Sequence, residues 1–409
     1  MRLLLTLAWR NVWRNKRRSI ITILAVTFAV MLSIVMRGIQ LGTYEVNIRH
    51  VVELFTGYIQ LQAPGYQESP SLRKSFRLGP ELQDALAEED EVLASAPRIV
   101  GDGLVSFRDN SQGAILFGVD PSAERSVSTL PDKVSAGFFL SEKNPYDVVV
   151  GHTLLENLGC ALGDDLVVLA QGYDGSLGNL KFRIVGAMKT GILDLDRSAV
   201  LMPLATAQEL LLMEGRATMI VVRLENLRRI DQVRESLAAR LDPFGLAVLS
   251  WGEVMPDLRE GIELDNVSGM LMLAILILVV AFGITNTVLM SVTERFREFG
   301  IVLSVGMQTR TLVGLVVLEI AFIVAIGTTA GNALAYGINS YLAANPISFG
   351  SEFEQMYAEY GFLPRIESII LLSSFVNNTL AILGVSLLAS LYPLTKILRL
   401  EPLKGIRYT

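Results

Sequence analysis

Four long apolar runs stand out against an otherwise ordinary chain. Ile20 to Met36 is seventeen residues without a charge. Val267 to Val292 is apolar except for Ser268, Asn286 and a few hydroxyls. Thr311 to about Leu342 holds one charge, Glu319, and Ser368 to about Tyr392 is the fourth run. A buried core helix is the other reading of such a run. Length and lack of charge instead predict membrane spans at 20–39, 267–292, 311–342 and 367–392. Arg37 would snorkel to the headgroups beyond the first. That run has the basic flank of a cleaved signal. Its apolar core is too long for one, and no small-x-small pattern follows Met36, so it reads as a retained anchor.

The pieces between the runs carry their own patterns. In residues 1–19, Leu4, Leu5, Ala8, Trp9, Val12 and Trp13 form one helical stripe, with Arg10, Arg14, Arg17 and Arg18 off it. This predicts an interfacial amphipathic elbow helix leading into the first span. A nucleic-acid role is the other reading of so basic a run, and the adjacent span argues against it. Residues 40–266 alternate strand, turn and helix signals. Strands are predicted at Tyr58–Gln62, Asp147–Val150, Leu166–Ala170, Phe182–Val185, Ala199–Met202, Met219–Leu224 and Leu246–Leu249. Helices are predicted at Pro80–Glu89, Thr153–Leu158, Thr206–Met213 and Ile230–Leu241. The sum is an α+β domain. It has a βαβ-type base (56–98 and 218–252), a β-rich insertion (99–217) and helical stalks (40–55 and 253–266).

Residues 293–310, between the second and third spans, are longer than a turn requires. Charged Glu294, Arg295, Arg297 and Glu298 precede an apolar stretch broken by Gly300 and Gly306, with Ile301 between. This suits a short helix that docks on a partner. Residues 343–366 form a short loop, and 393–409 a basic tail.

Charge assigns the sides. Residues 40–266 hold 33 acids and 20 bases, a balance of −13, whereas the chain as a whole stands at −6. Residues 1–19 carry six bases and no acid. The tail has Lys396, Arg399, Lys404 and Arg407 against Glu401. Glu352, Glu354 and Glu359 make the 343–366 loop acidic. The positive-inside rule therefore puts both termini in the cytoplasm and the large domain outside. The single cysteine, Cys160, excludes an internal disulfide or cysteine-built metal site, and His50 and His152 are too few for a histidine one. No metal ligand set is visible. Asp194 and Asp196 read as exposed acids of a hairpin, not a cation cage. Glu319 reads as a headgroup-solvated residue, with an intrabundle contact as the alternative. Asn286 and Asn332 suit interhelical hydrogen bonds, and Gly327 and Gly331 close packing. No phosphate-binding loop, nucleophile elbow or HExxH pair occurs, so the chain is expected to be no enzyme.

The 293–310 segment resembles the cytoplasmic loop of the FtsX/MacB-type ABC transporter permeases, roughly R-x-R-E-I-G-I-L-x-x-I-G-A. Arg295, Arg297, Glu298, Gly300, Ile301, Leu303 and Gly306 fall on that pattern, and Ser304 stands where a basic residue is common. Ala8-Trp9-Arg10-Asn11 and the tail Tyr392 to Arg407 are similar to the same family. So are Val149-Val150-Gly151, Leu158-Gly159, Gly163-Asp164, Val185-Gly186, Thr190-Gly191 and Met202-Pro203-Leu204. Tyr58 to Tyr66, Phe117-Gly118-Val119-Asp120-Pro121 and Gly137 to Leu140 look most like the lipoprotein-releasing (LolC/LolE-like) branch.

The resemblance implies a four-helix mechanotransmission-like (type VII) ABC permease in the bacterial inner membrane, with the large periplasmic α+β domain inserted between the first and second spans. It implies a separate cytoplasmic ABC ATPase dimer, which alone binds ATP and Mg, docked on 293–310. It further implies a second permease chain, identical or homologous. The substrate would be a lipoprotein held between the first two spans, near Val35, Ile39, Met270 and Leu273, and passed to a periplasmic carrier. Efflux permeases for small molecules or peptides share the scaffold. A receptor or scaffold with a periplasmic binding domain is the reading from another class.

Overall fold

A computed structural model describes residues 2–348 and 365–398. The tail motif beyond residue 398 and the acids Glu352, Glu354 and Glu359 lie outside the described residues. The chain divides into two compact units, one of residues 2–44, 262–348 and 365–398, the other of residues 45–261.

Helix α1 (Arg2–Arg14) turns at Asn15 into α2 (Lys16–Val51), which a π turn at Val52–Thr56 ends. The second unit then runs β1 (Ile59–Gln62), β2 (Phe76–Arg77), α3 (Pro80–Ala87), β3 (Val92–Phe107), β4 (Asn110–Val119), α4 (Pro121–Val127) and β5 (Val134–Gly137). It continues through β6 (Asp147–Gly151), α5 (His152–Leu158), β7 (Asp165–Gln171), β8 (Leu177–Met188), α6 (Leu193–Ser198), β9 (Ala199–Pro203) and α7 (Leu204–Leu210). Strands β10 (Arg216–Ala217) and β11 (Met219–Leu224), helix α8 (Ile230–Leu241), β12 (Ala247–Ser250) and α9 (Trp251–Val254) complete it.

Strand order β12-β1-β11-β3 is antiparallel throughout. The units β1–α3–β3 and β11–α8–β12 interleave, so each βαβ is split by a strand of the other. Leu82 and Leu86 of α3 and Val233, Leu237 and Leu241 of α8 cover Ile59, Leu61, Ile220 and Val222. Strand β3 then changes partner. Its first half pairs with β11, and Gly103–Ser106 pair with β7. Pairing runs in a closed circuit, β3–β4–β9–β6–β8–β7–β3. The expected base–insertion boundary at 98/99 thus falls inside one continuous strand, because β3 runs through both parts of a single ten-stranded sheet. The change of partner needs Gly103, where a Cβ would lie 2.8 Å from Leu116 Cδ1 and 2.9 Å from the Leu169 carbonyl. Val105, Leu116, Val148, Val150, Val168, Phe182, Ile184 and Val200 fill the circuit's interior.

Asp194 and Asp196 do not form a hairpin. They lie on α6, and Asp196 is buried. Its carboxylate accepts from Thr190 N (2.7 Å), Thr190 Oγ1 (2.8 Å) and Gly191 N (3.2 Å), so it staples the loop before the helix.

The remaining elements are α10 (Pro256–Glu294), α11 (Phe296–Ser304), α12 (Thr309–Ala344), the strand pair β13 (Ile347–Ser348) and β14 (Arg365–Ile366), and α13 (Leu372–Leu398). Helices α2, α10, α12 and α13 are each long and apolar enough to cross a membrane. Val26, Val30 and Ile34 of α2 meet Val316, Ile320 and Val324 of α12, Ile284 and Val288 of α10, and Ile382 of α13. Gly327 and Gly331 bring α12 against α2: a Cβ at Gly331 would lie 2.7 Å from Val30 Cβ and 2.8 Å from the Thr27 carbonyl. In lipid such close approach is the main source of helix cohesion. Gly331→Ile is therefore expected to cost about 1–3 kcal/mol. Thermal unfolding of the detergent-purified protein checks this against Gly337→Ile, where a Cβ meets nothing within 4 Å. Equal melting points for the two variants would refute the packing argument.

Asn332 Nδ2 donates to Thr379 Oγ1 (2.9 Å), joining α12 to α13. Asn286 differs from expectation: it is exposed and makes no hydrogen bond among the described residues. Helix α13 runs through Pro393, where the fourth span was expected to have ended. Proline has no N–H, so the carbonyl four residues earlier loses its donor. That carbonyl, Ala389 O, accepts from Thr285 Oγ1 of α10 at 3.1 Å. Arg37 does not reach only to headgroups. Its Nη1 donates to Gln40 Oε1 (2.8 Å) and Asn266 Oδ1 (2.6 Å). One turn on, Tyr44 OH donates to Asp265, and burial together with that carboxylate pushes the phenol well above its usual range.

Candidate coupling site

The segment between α10 and α12 carries Arg295, Arg297 and Glu298. Its sequence dictates a two-faced helix. Phe296, Phe299 and Gly300 recur at helical spacing and are buried, with Leu303 and Met307 packed beside them against Val292, Leu312 and Val316. The opposite stripe is Arg297, Ile301 and Val305. All three are exposed, Ile301 by 49% and Val305 by 84%. Gly306 follows at φ +106°, a backbone that a side chain would resist, and lets the chain turn into α12.

Three acids on these elements are held by cations or amides from elsewhere. Glu294, at the end of α10, accepts from Arg18 Nη2 at 2.6 Å, and that bond holds its carboxyl below the usual range. Glu298 accepts from Arg14 Nη2 (3.0 Å) and Arg295 Nε (3.3 Å). Partial burial raises its pKa, but the two guanidiniums outweigh it and hold the group low. Both acids therefore stay charged at neutral pH. The third is Glu319 of α12. It accepts from Arg295 Nη1 at 3.1 and 3.2 Å and from Asn11 Nδ2 at 2.5 Å. Arg295 also lies over the Phe299 ring, 4.9 Å from its centroid.

Exposure ranks these pairs. Arg14–Glu298 is half exposed on both sides, and such a pair contributes about 0–1 kcal/mol. Arg295 and Glu319 are each only 11% exposed, so losing one partner strands a buried charge. The Arg295–Glu319 pair is the fixed point, and α1 is fastened to it through Asn11. Arg18 Nη1 is buried without a hydrogen-bond partner among the described residues, and Arg18 lines a cavity of about 50 Å³, enough for ordered water.

Glu319 thus departs from the expectation of a headgroup-solvated residue. Sequence reasoning also missed Asn11, Arg14 and Arg18 as partners. They stand 308, 284 and 276 positions from the acids they meet, so no local pattern could join them. Of the other residues singled out, Arg297 and Ile301 face outward and Gly300 inward.

A second feature lies between α2 and α10. An apolar groove of about 360 Å³ is lined by Ile21, Thr22, Ala25, Phe28 and Ala29 on one side and Met272, Ile275, Val279 and Gly283 on the other. Val35, Ile39, Met270 and Leu273 are not among its walls. Val35, Ile39 and Leu273 are half-buried, and Met270 is exposed. Among the described residues no group of three or more His, Cys, Asp or Glu side chains could hold a metal ion.

The chain is similar in sequence to known proteins. The profile of the MacB-like periplasmic core domain matches residues 19–240, and that of the FtsX-like permease C-terminal region matches residues 270–402. The lipoprotein-releasing system transmembrane protein LolC of Neisseria meningitidis is 24% identical over 329 residues, covering 78% of each chain. LolC of Xylella fastidiosa is 25% identical over 338 residues, covering 79% of this chain and 80% of its own. The macrolide export ATP-binding/permease protein MacB of Wolinella succinogenes is 24% identical over 400 residues, 90% of this chain and 60% of that one. With its apolar helices, its α+β unit and its charged two-faced helix, the chain belongs to the family of MacB- and FtsX-like ABC transporter permeases.

Proposed function

We propose that this permease works with a separate cytoplasmic ABC ATPase dimer, which binds the ATP and Mg, and that α11 is where the ATPase docks. The carrying observation is the two-faced geometry of α11. One face is locked into the helix core and the other offers Arg297, Ile301 and Val305 to a partner. In this reading both termini are cytoplasmic, as the positive-inside rule expects. The α+β unit is periplasmic, inserted between the first and second spans in a type VII, mechanotransmission arrangement. ATP-driven closure would push α11, and α2 and α10 would carry the displacement outward.

A second permease chain, identical or homologous, would cover α10. Only 11% of that helix's most apolar stretch is buried, against 44% for α2 and α12. The favoured substrate is a lipoprotein, drawn from the outer leaflet and handed to a periplasmic carrier. The LolC relatives support this, and the apolar groove between α2 and α10, with Val35, Ile39, Met270 and Leu273 beyond it, would take acyl chains. The MacB relative supports export of a small molecule or peptide as the second reading.

Ile301→Glu tests the docking face. The side chain is exposed, so the fold is expected to stand, with a stability within about 0.5 kcal/mol of native. A charge at the centre of an apolar contact is expected to cost about 2–4 kcal/mol of ATPase affinity, read by co-purification with a co-expressed ABC ATPase. Full recovery of ATPase with the variant would remove α11 as the site. Depletion in cells separates the substrate readings: lipoproteins stranded in the inner membrane support release, while normal sorting with reduced efflux supports export.

A further inference from the structure

The basic residues at the start of the chain are divided between two tasks. Arg14 and Arg18 are occupied by Glu298 and Glu294. Arg2, Arg10, Lys16 and Arg17 are exposed, and among the described residues none of them meets a carboxylate. Next to its buried Ala8 and Val12, α1 carries Trp9 and Trp13, 44% and 36% exposed, with Arg10 beside them. Those indoles are not loose. Their rings meet edge to face at 5.8 Å, and Trp9 packs likewise on Phe322 of α12 at 5.5 Å. A fixed pair of exposed tryptophans beside free guanidiniums, one turn before a membrane-crossing helix, has the chemistry of a lipid-headgroup surface.

We propose that α1 and the first turn of α2 form a docking surface for anionic phospholipid headgroups, with Arg10 of α1 and Lys16 and Arg17 of α2 as the phosphate-binding cations and Trp9 and Trp13 seated at headgroup depth. Helix α1 also grips α11 through Arg14 and holds Glu319 through Asn11. Leaflet charge therefore bears on the position of the coupling helix. Protein-borne acids do not compete for the free cations in the described fold, and the lipid is the only anion that the neighbouring span guarantees.

The test needs no ATPase, so it stands apart from the reading of α11 as a docking site. The full-length chain carrying Trp251→Phe keeps Trp9 and Trp13 as its only indoles, since the sequence has three tryptophans. It is reconstituted into mixed phosphatidylglycerol and phosphatidylcholine vesicles in which one lipid or the other is brominated. Brominated phosphatidylglycerol is expected to quench at least about twofold more than brominated phosphatidylcholine at equal mole fraction, with the preference shrinking in high salt. Arg10→Gln/Arg17→Gln is expected to bring the ratio to near one, and Arg10→Lys/Arg17→Lys to keep it. Arg297→Gln/Arg310→Gln removes the same charge from exposed positions off α1 and is expected to keep the preference. Equal quenching by both lipids in the parent overturns the proposal. So does an equal loss in the Arg297/Arg310 pair, which would reduce the effect to net charge.

Discussion

Arg98→Ala is expected to destabilise the α+β unit by about 3–5 kcal/mol, as loss of one partner from a buried ion pair does. Arg98 and Glu124 are both fully buried. Arg98 Nε donates to Glu124 Oε2 at 2.9 Å, and Nη2 to Oε1 at 2.5 Å, a bidentate fork. Nη1 donates to the Phe55 carbonyl at 2.5 Å, and the guanidinium lies 4.7 Å from the centroid of the Phe55 ring. One side chain on β3 thereby holds α4 and the turn that follows α2. Alanine leaves Glu124 with only Ser128 Oγ as a donor, deep in an apolar surround. For a unit of this size the melting point should fall by roughly 6–20 °C. Thermal unfolding of the full chain in detergent measures it. Arg98→Met with Glu124→Leu is expected to recover most of the loss, since replacing both charges removes the stranded one. A fall below about 1 kcal/mol for Arg98→Ala would mean that the site is wetter than its burial implies.

The same residues show how far the sequence alone reaches. Most short strands and helices of the α+β unit lie where hydrophobic period and turn residues put them. Met219–Leu224 and Ile230–Leu241 are read to the residue. The hairpin β3–β4 is not, although it is the spine of the ten-stranded sheet. Gly101, Gly103, Gly113 and Gly118 interrupt its alternation, and at Gly103 and Gly118 neighbouring atoms come too close for a Cβ. The Gly118 Cβ position, for example, lies 2.3 Å from Ala207 Cβ. A signal that marks a loop in a local reading marks close packing in the fold. Arg98 is invisible for a related reason: nothing in Ala-Pro-Arg-Ile says that its partner lies 26 residues on. At the coupling site, the face of α11 is legible from Phe296, Phe299 and Ile301. Its anchoring is not, because Glu319 and the α1 side chains reach it only through the packed bundle.

Arg295→Ala is expected to uncouple the permease while leaving its docking stripe in place. Among the described residues Arg295 is the only side chain shown bonded to both Glu298 of α11 and Glu319 of α12, and it also covers the Phe299 ring. Without it Glu319 keeps only the amide of Asn11, and a carboxylate buried to this degree costs about 3–5 kcal/mol once its cation is gone. The protein can lower that cost by letting α11 swing away and admit water to Glu319. If about 3 kcal/mol separates the seated from the released helix, the seated fraction falls by a factor of roughly 100. Ile301 and Val305 remain on α11, so an ATPase that docks there should still co-purify and hydrolyse ATP. Its strokes would then meet a helix no longer braced against α12, and substrate movement per ATP should drop at least about tenfold. Arg295→Gln with Glu319→Gln is the informative companion, because two amides bridge the same gap with no stranded charge. It should regain a substantial part of the coupling. Rescue of transport per ATP by the double substitution, with neither single change rescuing, would establish that the pair works by bracing the helix. Equal transport per ATP in Arg295→Ala and the native protein would remove Glu319 from the coupling pathway.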